Sequence, residues 1–131
     1  MEKNELHRLE NYLRRTLGNG ALRLTPDGRE KEAADVTLGE RKIAHVTVDD
    51  EDGDRSFAFE MKVPVARPAI EEYLRLLFDN PAYKVVARAR KTDSVELNLG
   101  SEFLGVISQD DPKGKSHTFQ MAVLDYDLDE E

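Results

Sequence analysis

A chain of 131 residues with 27 acidic side chains against 19 basic ones, and with no cysteine, closes several routes to function before any motif is considered. The net charge of −8 repels nucleic acid and anionic membranes in bulk, and a chain without thiols has no disulfide, zinc ribbon or cysteine nucleophile. The hydrophobic fraction of 39% suits a packed core, and no stretch approaches the roughly 18 apolar residues of a membrane span. The start, Met1 to His7, carries no apolar run behind a basic segment, so a cytoplasmic protein without a secretion signal is expected.

Asn4 is expected to cap a helix that runs to Leu17, because Leu6, Leu9, Leu13 and Leu17 fall on one face at spacings of three and four. Gly18-Asn19-Gly20 ends it, since glycine tolerates the left-handed conformation found there. Strands are expected over 21–25, 35–38 and 43–48, with Pro26-Asp27-Gly28 as a turn. An acidic loop over 49–54 leads to a strand over 56–63, where Phe57, Phe59, Met61 and Val63 share a face at period two. Residues 64–68 are a hinge, and Pro68 suits the first turn of a second helix with Ile70, Tyr73, Leu74, Leu77 and Phe78 on its apolar face. Pro81 stops that helix. Strands follow over 83–90, 94–99, 103–109 and 117–124, and an acidic tail over 125–131 is expected to fray after Leu128.

The second series repeats the first. Leu9-Glu10-Asn11-Tyr12-Leu13-Arg14 returns 61 residues later as Ile70-Glu71-Glu72-Tyr73-Leu74-Arg75. The same offset carries Asn19 to Asn80, Leu38-Gly39 to Leu99-Gly100 and Asp49-Asp50 to Asp110-Asp111. After one lost residue the offset is 60, and Phe59-Glu60-Met61 answers Phe119-Gln120-Met121. Self-similarity at a fixed period decides the architecture. The expected fold class is α+β: two tandem repeats, copy one over 4–63 and copy two over 69–128, each a helix followed by a four-stranded antiparallel meander. A half of this size buries too little surface alone. The halves are therefore expected to pack as one pseudo-twofold unit over 1–131, either a monomeric pseudo-dimer or a homodimer.

Neither copy contains a catalytic constellation. The acidic loop invites a calcium reading, but placing Gly53 sixth in an EF-hand loop puts Val48 first and Phe59 twelfth, where anchoring ligands belong. Copy two answers with Asp110-Asp111-Pro112-Lys113-Gly114-Lys115, which keeps the turn-formers and cancels the charge. A hairpin turn is expected there and no metal. The histidines are not repeated: in the alignment His45 meets Val106 and His117 meets Ser56, and His7 precedes it. No glycine-rich phosphate loop is present, so no catalytic residue and no cofactor is expected. Lys84, Arg88 and Arg90 form a basic stripe on one strand face with Val86 among them. They are the candidate partner-binding residues, or else charges that keep an edge strand from aggregating. Val and Ala stand between them instead of stacking aromatics, so nucleic acid is not the expected partner.

The joined pattern resembles a small alphaproteobacterial family of domains of unknown function, the DUF3126 domains. Its members are roughly half this length. Copy one carries the resemblance at Leu9 to Arg14 and Val48 to Phe57. Copy two carries it at Arg88 to Lys91, Leu99 to Val106 and Phe119 to Asp125. Each copy departs where the other keeps the pattern: Lys42-Ile43-Ala44-His45 in copy one, Pro112-Lys113-Gly114-Lys115 in copy two. The resemblance implies the repeated fold and no activity. The functional expectation is a non-enzymatic protein-interaction module. The alternatives are a binding protein resembling secretion chaperones, or a small enzyme using carboxylates between the two halves.

Overall fold

The computed structural model describes residues 1–50 and 53–128, so Glu51, Asp52 and the tail after Leu128 lie outside the described residues. The elements are α1 (Lys3–Thr16), β1 (Leu22–Pro26), β2 (Ala33–Leu38), β3 (Arg41–Asp49), β4 (Ser56–Val63), α2 (Ile70–Leu77), β5 (Tyr83–Arg88), β6 (Lys91–Leu99), β7 (Glu102–Gln109) and β8 (His117–Leu124). A 3-10 turn over Arg67–Ala69 holds Pro68 and leads into α2.

The two meanders are one sheet. Its order is β1-β2-β3-β4-β8-β7-β6-β5, antiparallel throughout. The last strand of each copy therefore pairs with the last strand of the other, along the full length of β4 and β8 from Ser56↔Leu124 to Val63↔His117. The period-two pattern explains why the junction holds. Phe57, Phe59, Met61, Val63, Phe119, Met121 and Val123 all enter one core, together with Leu9 and Leu13 of α1, Ile70 and Leu74 of α2, and Leu17 and Phe78 just past their C-termini. Phe59 meets Phe119 edge to face across the junction, with ring centroids 5.8 Å apart and planes at 62°. This is a favoured arrangement for two aromatic quadrupoles.

The repeated helix motif has a job at the sheet edges. Edge strands β1 and β5 present unpaired N–H and C=O groups. In α1 the Glu10 carboxylate accepts from the Leu24 N–H at 2.8 Å, and Arg14 Nε donates to the Leu22 carbonyl at 2.7 Å. In α2 the equivalent Glu71 accepts from the Val85 N–H at 3.0 Å, and Arg75 donates to the Tyr83 carbonyl at 2.9 Å. Each Glu–Arg pair is also an i,i+4 ion pair. The repeated Asn is equally structural. Asn19 donates to the Phe78 carbonyl at 2.7 Å and Asn80 to the Gly18 carbonyl at 3.0 Å, so the helix ends of the two copies hold one another. Gly18 has φ +71°, which favours glycine, and a Cβ there would come within 2.4 Å of the Asn80 amide nitrogen and push that side chain aside.

Three expectations are corrected. Asn4 lies inside α1, with Glu2 at the N-cap and no side-chain cap, because the helix starts before it. Arg90 lies in the turn after β5, since the strand ends at Arg88 beside a bulge. His117 occupies the position of Phe57, not Ser56. The deleted residue falls inside the β7–β8 turn, as the Asp110 N–H to Ser116 carbonyl bond shows, so the 60-residue offset already applies at His117. His117 is accordingly buried at 4% exposure, and its Nδ1 lies 2.9 Å from the Val65 carbonyl.

Candidate functional site on the open face of the sheet

Both helices cover the same face, because their buried leucines join the core that the inward strand residues line. Among the described residues the other face carries no helix. Its residues follow from the register. One row runs across all eight strands: Thr25, Asp35, His45, Glu60, Gln120, Val106, Glu96 and Val86. The row passes through equivalent repeat positions from both ends of the sheet, one copy to each half. Copy one keeps Asp35, His45 and Glu60 where copy two has Glu96, Val106 and Gln120.

The polar half of the row is organised. His45 Nδ1 lies 3.1 Å from Asp35 Oδ1, and Lys42 Nζ lies 3.1 Å from the same oxygen. The hydrogen bond from His45, and after it that from Lys42, hold the Asp35 carboxyl below its ordinary value. Asp27 follows β1 and donates its N–H to the Ala33 carbonyl, which brings its side chain beside this pair. Ligand atoms of Asp27, Asp35 and His45 all lie within 4.8 Å of one another, and each residue is half-buried. A shallow cavity of about 380 Å³ adjoins them, lined by Lys42, Ile43, His45, Ala58, Glu60 and Lys62.

The sequence-named cations stand at the far edge of the same face. Lys84 pairs with Asn98 and Val86 with Glu96, so Lys84 and Val86 share the open side of β5, and Arg88 follows beyond a register shift. Arg88 donates to Ser94 Oγ at 2.9 Å. Arg90 and Lys91 project beside them from the β5–β6 hairpin, and Arg67 reaches the Thr92 carbonyl at 3.4 Å. Among the described residues none of these five cations has a carboxylate partner. The corresponding corner of copy one is mixed: Arg23, Asp27, Arg29 and Glu30 stand where Lys84, Arg88, Arg90 and Lys91 do.

The remaining sequence candidates divide. Val48 and Phe59 are strand residues, Phe59 with 1% exposure, so the β3–β4 turn has a backbone frame of strands around it. Gly53 takes φ +84° and bonds the Asp50 carbonyl at 3.2 Å, just as Gly114 takes φ +65° and bonds Asp111 at 3.1 Å. The turn chemistry is what both copies kept. Arg55 was not singled out in the sequence. It spans Glu5 at 2.6 Å and Glu32 at 2.8 Å and stands in a cavity of about 790 Å³ at the acidic end of copy one. These carboxylates raise the Arg55 guanidinium further above its usual value. The grouping of Asp27 with Asp35 and His45 was also missed, because it depends on pairing register rather than on spacing along the chain.

The model of the DUF3126 family, described as a protein of unknown function, matches residues 5–64 and again residues 68–127. No curated protein and no solved structure matches the chain. Among the described residues no helix is long and apolar enough to cross a membrane.

Proposed function

Since the chain belongs to the DUF3126 family, as a tandem duplication of its domain, we propose that it is a non-enzymatic protein-interaction module whose copy-two edge binds an acidic protein segment. One observation carries the reading. In a chain with 27 acids and 19 bases, five cations line the β5 edge of the sheet, Lys84 and Arg88 on the strand, Arg90 and Lys91 in the hairpin after it and Arg67 against Thr92, and none is matched by a described carboxylate. Such a patch attracts a complementary anionic partner despite the opposite net charge, because beyond about 10 Å the rest of the molecule is screened at 0.1 M salt. Val86, 39% exposed among these cations, adds apolar contact.

A catalytic acid needs a carboxyl raised by burial. Among the described residues, the carboxyls with a resolved shift, Glu32, Asp35 and Asp110, are all held low by donors. This favours the binding reading over an enzyme between the halves. The test is an NMR titration of the full chain with a glutamate-rich peptide at about 0.1 M salt. Shifts are expected at β5 and the β5–β6 hairpin, and they should vanish at 0.5 M salt and in Lys84→Glu/Arg88→Glu/Arg90→Glu. Binding that the triple substitution leaves unchanged contradicts the assignment.

A further inference from the structure

We propose that Asp27, Asp35 and His45 form a binding site for a divalent transition-metal ion of the zinc class on the open sheet face of copy one. The site is independent of the basic corner, which belongs to copy two.

Three successive elements deliver the ligands to one side of the sheet. Asp35 and His45 are register partners on β2 and β3, so their side chains point the same way. Asp27 lies two residues beyond Thr25, which pairs with Asp35, and so it faces the same side. The ligand atoms are within 4.8 Å of one another, and the His45–Asp35 separation is 3.1 Å. Around a tetrahedral zinc with bonds near 2.0–2.1 Å, ligand atoms sit about 3.4 Å apart. Side-chain rotation of Asp27, whose Oδ1 accepts from the Arg29 N–H at 2.7 Å, has to close the remaining gap.

The donor set selects the ion. One imidazole and two carboxylates suit zinc and its neighbours, whereas magnesium and calcium prefer oxygen alone. Three protein ligands leave a fourth position open. The cavity lined by Glu60, Ala58 and Lys62 adjoins His45, so that position faces solvent. The incoming ion displaces the Lys42 ammonium from Asp35. That pair costs little to break: the Lys42 side chain is 58% exposed, and exposed ion pairs contribute little net stability.

The duplication supplies an internal control. The positions of Asp27, Asp35 and His45 are Arg88, Glu96 and Val106 in copy two. There the imidazole is gone and a fixed cation replaces one carboxylate, so copy two has no such site. Two test substitutions follow that the fold already accommodates in the same register: His45→Val and Asp27→Arg.

The experiment is calorimetric titration of zinc chloride into the full chain after chelator treatment, paired with NMR of the histidine ring nitrogens. One ion per chain is expected, with the His45 resonances moving and those of His7 and His117 unmoved. Each substitution should weaken binding by at least about tenfold, since even changes around a ligand cost 10- to 100-fold. Magnesium or calcium in hundredfold excess should not compete. Melting curves check that both variants remain folded. The absence of binding at submillimolar zinc overturns the site, as does binding that survives His45→Val in a folded protein.

Discussion

Glu60 of β4 stands directly opposite Gln120 of β8, and the two are equivalent residues of the two copies. Pairs on either side are then related by exchange: Phe59 faces Met121, and Met61 faces Phe119. A strand that pairs antiparallel with its own repeat about a fixed centre makes a self-complementary contact, the geometry of a two-fold dimer within one chain. The junction is buried on the helix side and polar on the other. It divides the open face into a copy-one half with Asp35, His45 and Glu60 and a copy-two half with Lys84 and Val86.

Truncating the aromatic pair tests the junction. Phe59→Ala and Phe119→Ala should each cost about 3–5 kcal/mol, as for other buried aromatics. A double-mutant cycle by denaturant unfolding should show coupling of about 0.5–1.5 kcal/mol for the edge-to-face contact. Strict additivity would mean that the rings do not interact.

The helix motif predicts a local effect at each edge. Glu10→Ala removes the acceptor for the Leu24 N–H, and Glu71→Ala that for the Val85 N–H. Each should cost about 1 kcal/mol and speed hydrogen exchange at that amide alone. The two changes lie at opposite edges of the sheet, so their costs should add.

Acid should loosen the β7–β8 turn and the open face. Asp110 is held low first by the Thr118 hydroxyl at 2.7 Å, with Ser116 and Lys62 assisting, and Asp35 first by His45. A carboxyl with a lowered folded pKa stabilises fully above its unfolded value, near 4. That contribution is lost as pH falls through the lower folded value. Melting midpoints should therefore fall below about pH 4, and Asp110→Asn should flatten this decline. An unchanged pH profile in the variant contradicts the assignment.

Gly105→Ala probes a close approach. An added Cβ would meet the Gln120 carbonyl oxygen at 2.2 Å, and backbone cannot yield as a side chain can. A loss of about 1–3 kcal/mol is expected, with β7–β8 amides exchanging faster. Gly100→Ala, strained only by its φ of +60° and with open space around it, should leave that pairing intact.

The elements were readable because their signals are local. Period-two burial marked β4, leucine spacing marked α1, and the repeat carried both readings into copy two. The union of the meanders into one sheet was not readable, since nothing in Ser56–Val63 names its partner strand. The roles of Glu10, Arg14 and Asn19 were hidden for the same reason: each bonds a backbone group far from it in sequence or on another element. The stripe of Lys84 and Arg88 was legible from alternation. The meeting of Asp27 with His45 was not, because it requires the register of three strands.

The copies complete one another through β4 and β8, and a fragment ending at Pro64 puts that dependence to the test. Without copy two, β4 is an open edge, and Phe57, Phe59 and Met61, each at most 1% exposed in the full chain, lose part of their cover. Sedimentation velocity with thermal circular dichroism should find this fragment unfolded or self-associated. A monomeric fragment that melts cooperatively would contradict the account.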